Sequence, residues 1–484
     1  MDALDQKVTM LLADRVVLKP LTRWNEAYKE FPRYVMEYLC ARYVDPADPV
    51  PGQQRIDRLL FEHYVESGAK ELIKSRIKEG SDRGYVLLGQ LQVRLDAARD
   101  HYWAEVPALD DNFVRISPGV LREHGEALLA GGAWGTITVE YDATYELKGR
   151  IYPFYIRDFQ PFQITRLDLD DYIAKREQFT TAEWIALLIQ SIGFNPERFT
   201  EREKMLLLLR LVPFVEANYN LIELGPRETG KTYTYRNTSS RAFVISGGRA
   251  TPATLFYNLA ARKIGILGHK DVIFFDEIAN THFTDPEATI SVLKDFMQTG
   301  RFSRGPQEFT SQASIVLGGN IDTDLARRTP ADHYRHLFEI LPPELQDVAF
   351  LDRLHGFLPG WELPKIQPEN YAQGYGFITD YLAEILSRLR RRNYQLHVSA
   401  RVDFGGMTGR NQDAIKKTTA GLLKLVYPHR TVDTLTEEEF GPCFALAVES
   451  RKRVVDQLAV MQPSEFGRVQ WALERRPISV EEPS

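Results

Sequence analysis

The chain has 484 residues, which at about 150 residues per domain allows two to four domains. Apolar residues make up 44% and charged residues 26%, so a disordered chain, a collagen and a small disulfide scaffold are excluded for its bulk. Sixty Lys and Arg stand against 66 Asp and Glu, a net charge of -6. A protein basic overall is excluded; a local basic channel is not.

Cys40 and Cys443 lie far apart and form no CxxC pair, which argues against structural zinc and fits a reducing compartment. Asp2, Asp5 and Asp14 spoil a signal-peptide reading of the first residues. The most apolar run, Met205 to Val215, is broken by Arg210 and Pro213 and falls short of the ~20 residues of a membrane span. A cytoplasmic protein without a membrane partner is expected.

In chain order, residues 1 to about 110 predict helices. RIDRLLFEHYVESGAKELIKSRIKEG (55–80) spaces its apolar residues by three and four and ends on Gly80. Residues 111 to about 165 alternate apolar and polar positions and predict strands, with an oligonucleotide-binding-like β unit as one arrangement. The charged run from Asp168 to Arg176 reads as a linker. Thr180 and Glu183 form a capping box before Trp184-Ile185-Ala186-Leu187-Leu188-Ile189, and a second helix follows over Glu201 to Leu211. Then LIEL (221–224), AFVI (242–245), VIFF (272–275) and SIVL (314–317) are apolar on consecutive residues. Strands buried on both faces of a parallel α/β sheet have that pattern. After about residue 365 the chain reads as helical, and 471–484 as a flexible tail.

The strongest motif is Gly225-Pro226-Arg227-Glu228-Thr229-Gly230-Lys231-Thr232, a complete G-x-x-x-x-G-K-[ST] between a strand and a helix. Its glycines let backbone N–H groups wrap a phosphate. Lys231 would reach the β- and γ-phosphates of ATP, and Thr232 would hold Mg²⁺. Downstream, Asp271-Val272-Ile273-Phe274-Phe275-Asp276-Glu277 delivers two carboxylates at a strand's carboxyl end, where open α/β sheets bind ligands. Asp276 is the candidate metal ligand through water, and Glu277 the group that polarises the attacking water. Asn320 ends the strand beginning at Ser314; Gly-Gly-Asn is also a good turn, but in register with the other two motifs Asn320 is read as orienting that water.

Arg353 is the candidate arginine finger, acting on a neighbouring subunit's γ-phosphate. A surface ion pair with Asp352 or Asp347 is the plainer account, and Arg327 and Arg328 compete for the role. Arg410 begins a helix that could bring it over the bound phosphates as a lid. Arg301 and Arg304 suit a hairpin projecting into a ring's pore, where phosphate contacts are sequence-independent and salt-sensitive. An ordinary exposed hairpin fits the same residues. Arg388, Arg390, Arg391 and Arg392 read as a solvated helix face.

ELGPRETGKTYTYRN, ISGGRATPATLFYNLAARKIGILG, DVIFFDEIA, LPPELQDVAFLDRLHGFLPGWELPK, YGFITDYLAEILSRLR and AIKKTTAGLLKLVYP resemble the BrxL family, the Lon-like AAA+ proteins of BREX phage-defence systems. The resemblance implies an α/β AAA+ P-loop NTPase core, a parallel sheet between helices, with a helical lid and a mixed α+β N-terminal domain. Expected boundaries are 1–170 for that domain, as a DNA-binding part or ring collar, 176–365 for the core and 366–470 for the lid. It also implies a homo-oligomeric ring of six or seven subunits, singly or stacked, that hydrolyses ATP with Mg²⁺, engages double-stranded DNA and works beside other BREX components. By motif position it assigns Arg353 as the trans-acting arginine and Arg410 as the lid's sensor.

Two departures stand out. Only about 55 residues follow KLVYP, fewer than the ~100 a Lon-protease-like domain needs, so a short form without peptidase activity is expected. Glu228 places an acid inside the P-loop. Two other readings stay open, a protein unfoldase or chaperone ring and a nucleotide-switched assembly scaffold. SGGRATPATLFYNLAARKIGILGHK lacks the aromatic-apolar-Gly grip of unfoldases and carries Arg249, Arg262, Lys263 and Lys270, which favours an anionic substrate.

Overall fold

The structure is a computed structural model. It describes residues 2–23, 31–64, 69–80, 84–96, 100–130, 132–162, 167–259, 263–304, 307–324, 326–467, 469, 471 and 473–475. The chain forms two compact units, 20–166, and 1–19 together with 167–484.

Unit 20–166 holds the helices Arg33–Tyr43, Pro49–His63 and Lys70–Glu79, then five strands: β1 (Tyr85–Asp96), β2 (His101–Val106), β3 (Asp111–Ile116), β4 (Ala133–Tyr141) and β5 (Phe154–Pro161). The run read as one helix from residue 55 is thus two helices. The strands close into a barrel in the order β1-β2-β3-β5-β4. The β3–β5 pair is parallel and the others antiparallel, and the helix Pro118–Ala130 joins β3 to β4. This is an oligonucleotide-binding-type barrel. Alternate residues point inward, so Leu87, Leu91, Val93, Ala104, Val106, Val114, Ile137, Val139 and Ile156 fill it. A Cβ on Gly135 would meet the Gln160 carbonyl oxygen at 2.3 Å, so only glycine lets β4 and β5 approach there. The barrel begins at Tyr85, whereas sequence alone placed helix up to about 110. VLLGQLQVRLD is rich in helix formers, and barrel closure overrides that propensity.

The second unit carries a parallel sheet of β6 (Leu221–Gly225), β7 (Ala242–Ala250), β8 (Val272–Phe283), β9 (Ser314–Asn320) and β10 (Gly356–Pro359). Its order is β7-β8-β9-β6-β10. Four strands stand where the apolar runs predict them. The fifth, GFLP, is too short to stand out in sequence. Every residue of β6 is buried, and Ile222, Leu224, Ile273, Phe275, Ile315, Leu317 and Phe357 join one core. Residues 1–19 belong to this unit rather than to an N-terminal domain ending at 170. The helix Ala3–Leu12 leads to Val16–Leu18, which pairs antiparallel with Tyr375–Phe377. The expected linker is the helix Leu169–Arg176, its first amides capped by the Asp168 carboxylate.

The C-terminal helices Thr379–Arg390, Gly409–Val426 and Glu437–Met461 belong to the same compact unit as the sheet. The first two dock on the amino end of the sheet. Arg390, 6% exposed, donates to the carbonyls of Pro213 at 2.6 Å and Asp271 at 3.0 Å and to Ser314 Oγ at 2.9 Å, so it is no part of a solvated arginine face. Tyr219 and Thr418 share a buried hydroxyl bond of 2.9 Å just before β6. Among the described residues no helix is long and apolar enough to cross a membrane. Of the expected tail, only 471 and 473–475 are described.

Candidate nucleotide site

β6 ends at Gly225, where a Cβ would meet the Gly360 backbone at 2.5–2.6 Å. The loop then runs to Gly230, at φ 78°, and into the helix Lys231–Asn237. Lys231 is 7% exposed. Its Nζ donates to the carbonyls of Pro226 at 2.7 Å and Gly225 at 3.2 Å, so the ammonium sits inside the loop. Burial pulls its pKa down to about 8, and Arg210 adds to this, while Glu223 and Asp276 oppose it. A phosphate needs the charged lysine. ATP affinity is therefore expected to fall as pH rises through about 8, with proton uptake on binding above that pH. Calorimetry in two buffers of different ionisation enthalpy measures both.

A wholly buried ion pair braces the loop from behind. Arg210 donates to both Glu223 oxygens at 2.6 and 3.0 Å and to the Thr229 carbonyl at 2.9 Å. Both side chains are fully buried. Glu223→Gln leaves a buried guanidinium uncompensated, and a loss of about 3–5 kcal/mol is expected, read as a lower denaturation midpoint with nucleotide absent.

Thr232 Oγ1 donates to Asp276 Oδ2 at 2.7 Å, so the hydroxyl and carboxylate that Mg²⁺ would share already meet. Oxygen donors of this kind suit a hard cation. Glu277 follows at φ 52°. Its side chain is exposed and Oε2 accepts from Asn280 Nδ2 at 3.4 Å. A left-handed backbone costs a non-glycine residue about 1–3 kcal/mol and clusters at functional sites. Asn320 pairs across the sheet with Gly225, beside the start of the loop. Glu228 turns outward: its carboxylate meets Lys365 Nζ at 3.3 Å, and its carbonyl accepts from the Ile366 amide at 2.8 Å. Arg227 is exposed beside it.

Lys231, Thr232, Asp276, Glu277 and Asn320 thus gather on the side where β6 and β9 end; Asp276 and Glu277 do not end their own strand as expected, because β8 runs through them to Phe283. Arg353 and Arg410 are not on that side. The Arg353 carbonyl accepts from Asn220 Nδ2 at 3.1 Å, and Asn220 immediately precedes β6. Arg410 Nε donates to Gln298 Oε1 at 3.2 Å, and its NH1 pairs with Asp352 at 2.5 Å. Both line one cavity of about 260 Å³ at the amino end. A five-residue strand puts this end about 15 Å from the P-loop. Arg410 is therefore not over the phosphates of its own subunit, contrary to the expected lid. Among the residues lining the cavity, Arg353, Arg410, Lys417 and Arg451 stand against Asp352 and Asp413, and Asp347 and Asp295 also lie near Arg353. His355 adds no charge, because burial lowers its pKa to about 4. The competing arginines are engaged elsewhere, Arg328 with Glu203 at 2.9 Å and Arg327 with Asp324 at 3.5 Å.

Arg301 is exposed at the start of a hairpin, Arg301–Arg304 paired with Gln307–Thr310. Phe302, 1% exposed, anchors it against Phe309 with ring centroids 5.5 Å apart. The Arg304 side chain and residues 305–306 lie outside the described residues, as does Arg262. Sequence reasoning missed Arg210, Glu223, Asp352 and Arg451. Arg210 in LLLLRLV and Glu223 in LIEL were legible as charges inside apolar runs, which demand a partner.

Residues 154–472 match a family described as "Lon-like protease BrxL-like, ATPase domain", and residues 11–141 match "BREX system Lon protease-like protein BrxL N-terminal". The chain is 38% identical over 479 residues to "Lon-like protease BrxL" of Bacillus cereus (strain H3081.97), covering 98% of this chain and 69% of that one. It is 36% identical over 473 residues to the protein of the same name from Escherichia coli O9:H4 (strain HS), covering 97% and 66%. It spans about two thirds of the length of these curated relatives. A P-loop on a parallel sheet, an Asp-Glu pair whose aspartate meets the P-loop threonine, and matches covering nearly the whole of this chain lead to one conclusion: the chain belongs to the BrxL family, and its ATPase region has an AAA+-like P-loop fold.

Proposed function

We propose that the protein is a Mg²⁺-dependent ATPase that assembles as a homo-oligomeric ring of six or seven subunits, engages double-stranded DNA and serves cytoplasmic BREX phage defence with other BREX components. The observation that carries this reading is the division of the catalytic groups between opposite ends of one sheet. The P-loop end holds Lys231 inside its loop and Thr232 on Asp276 at 2.7 Å. The arginines expected at the γ-phosphate, Arg353 and Arg410, stand at the other end. A subunit divided in this way completes its site only against a neighbour, and head-to-tail contacts close into rings.

Within such a site the loop amides and Lys231 bind the phosphates. Thr232 and Asp276 would hold Mg²⁺, which when bound supplies Lewis-acid stabilisation of phosphoryl oxygens. Glu277 takes the proton of the attacking water, and Asn320 orients that water. Arg353 of one subunit, with Arg410 beside it, neutralises charge on the next subunit's phosphate.

Two features support DNA as the partner. One is the oligonucleotide-binding-type barrel. The other is the hairpin presenting Arg301. The test is the steady-state ATPase rate with and without double-stranded DNA, at low salt and at ~0.2 M salt. Stimulation that fades with salt supports the reading. A rate indifferent to DNA moves the assignment to a protein unfoldase or a nucleotide-switched scaffold. Changing Arg301 and Arg304 together to Ala should weaken DNA association and flatten its salt dependence by about two phosphate contacts per subunit. An unchanged salt titration removes them from the interface.

A further inference from the structure

A second charged layer stands behind the two arginines. Asp352, 8% exposed, lies just after the helix Val348–Leu351. Its oxygens serve different partners. Oδ2 accepts from Arg410 at 2.5 Å, and Oδ1 accepts from Arg451 at 2.6 Å. Arg451 belongs to the helix Glu437–Met461 and is 1% exposed. Its Nε donates to Asn411 Oδ1 at 2.7 Å, and NH1 donates to the carbonyls of Leu354 at 2.5 Å and Asp352 at 3.1 Å. A guanidinium taken wholly out of water is costly unless its donors are used. Here they are used on the segment 352–354, which carries Arg353, and on Asn411, which follows Arg410. The exposed end of the network is looser. Arg410 is 42% exposed, and Arg353 Nε is buried without a partner among the described residues.

We propose that Asp352 and Arg451 are positioning residues for the interface arginines. Arg451 fixes the Asp352 carboxylate and the backbone around Arg353. Asp352 in turn holds the Arg410 guanidinium beside Arg353, facing the neighbouring subunit's nucleotide. The helix Glu437–Met461 thereby becomes part of the coupling between subunits. Neither residue touches nucleotide. The inference rests on the reading that Arg353 and Arg410 act between subunits.

The experiment uses the full chain with Asp352→Asn, Arg410→Ala and the double variant. It reads kcat, KM for ATP, binding of a fluorescent ATP analogue and the thermal midpoint. Asp352→Asn should lower kcat about 10- to 100-fold, with KM and analogue affinity held within about twofold. In the Arg410→Ala background the same change should cost far less than it does alone. Mixing Asp352→Asn with Lys231→Ala subunits should restore turnover, which a simple folding defect would not allow.

An unchanged kcat in Asp352→Asn, or losses that multiply in the double variant, overturns the positioning role. An unchanged kcat in both Arg410→Ala and Arg353→Ala overturns the intersubunit reading itself, and is distinguishable because it does not involve Asp352. If Asp352→Asn does not fold, Arg451→Lys keeps the charge but cannot fill the same fork of acceptors. It should show the same loss of kcat at constant KM, and normal turnover in that variant overturns the proposal.

Discussion

Glu277→Gln is expected to lower ATP turnover by about 10²–10⁴-fold while binding ATP as the parent does. The side chain keeps its size and loses only the ability to take a proton. The phosphate-binding groups, Lys231 and the P-loop backbone, lie on a different strand and helix and are untouched. Filter binding with radiolabelled ATP should therefore find nucleotide retained and unhydrolysed. Backbone geometry supplies a second arm. Glu277 sits at φ 52°, where a side chain costs about 1–3 kcal/mol and glycine costs little. Glu277→Gly should then be as inactive as Glu277→Gln yet no less stable, and a gain in thermal midpoint is the expected direction. Turnover within a factor of ten of the parent in Glu277→Gln would remove Glu277 from the role of base.

The parts of this site legible in the sequence were those written locally. G-x-x-x-x-G-K-T, an apolar run leading into Asp276-Glu277, and Asn320 at the tip of another strand each depend on a few neighbouring residues. The sheet then aligns them because its strands are parallel and in register, Val316 against Leu221 through to Asn320 against Gly225. What stayed hidden depends on closure and on long-range pairing. Barrel strand β1 follows a helical region and uses Leu, Gln and Arg, which suit helices equally well; only pairing with β4 and β2 decides it. Arg410 carried a local signal, a helix start after Thr-Gly, but nothing local says which end of the sheet that helix covers. Tyr219–Thr418 and His355–Asp413 contacts decide it, at sequence separations of 199 and 58 residues. The outward turn of the Glu228 carboxylate was hidden for a similar reason, because its partner, Lys365, lies 137 residues away.

Arg353→Ala is expected to keep ATP affinity and lose about 10³–10⁵ in turnover, the range measured for arginine fingers. The separation of effects follows from placement. Arg353 adjoins Asn220 at the amino end of β6, and the P-loop leaves the carboxyl end of the same strand. A residue so placed cannot stabilise its own subunit's transferring phosphoryl group, yet it can serve the next subunit in a head-to-tail contact. Complementation is the decisive measurement. Lys231→Ala subunits bind no nucleotide but present intact arginines, and Arg353→Ala subunits bind nucleotide but lack the finger. Each alone is inactive. Mixed equally, about one junction in four joins a competent P-loop to a competent arginine, and activity should rise from both baselines to a maximum at intermediate ratios. Asp352 sharpens the comparison, because its other ligand, Arg451, is buried and cannot follow Arg353 into an interface. Mixtures inactive at every ratio, from variants that still form the same oligomer by sedimentation, would place the stabilising charge within a single subunit and end the argument for a shared site.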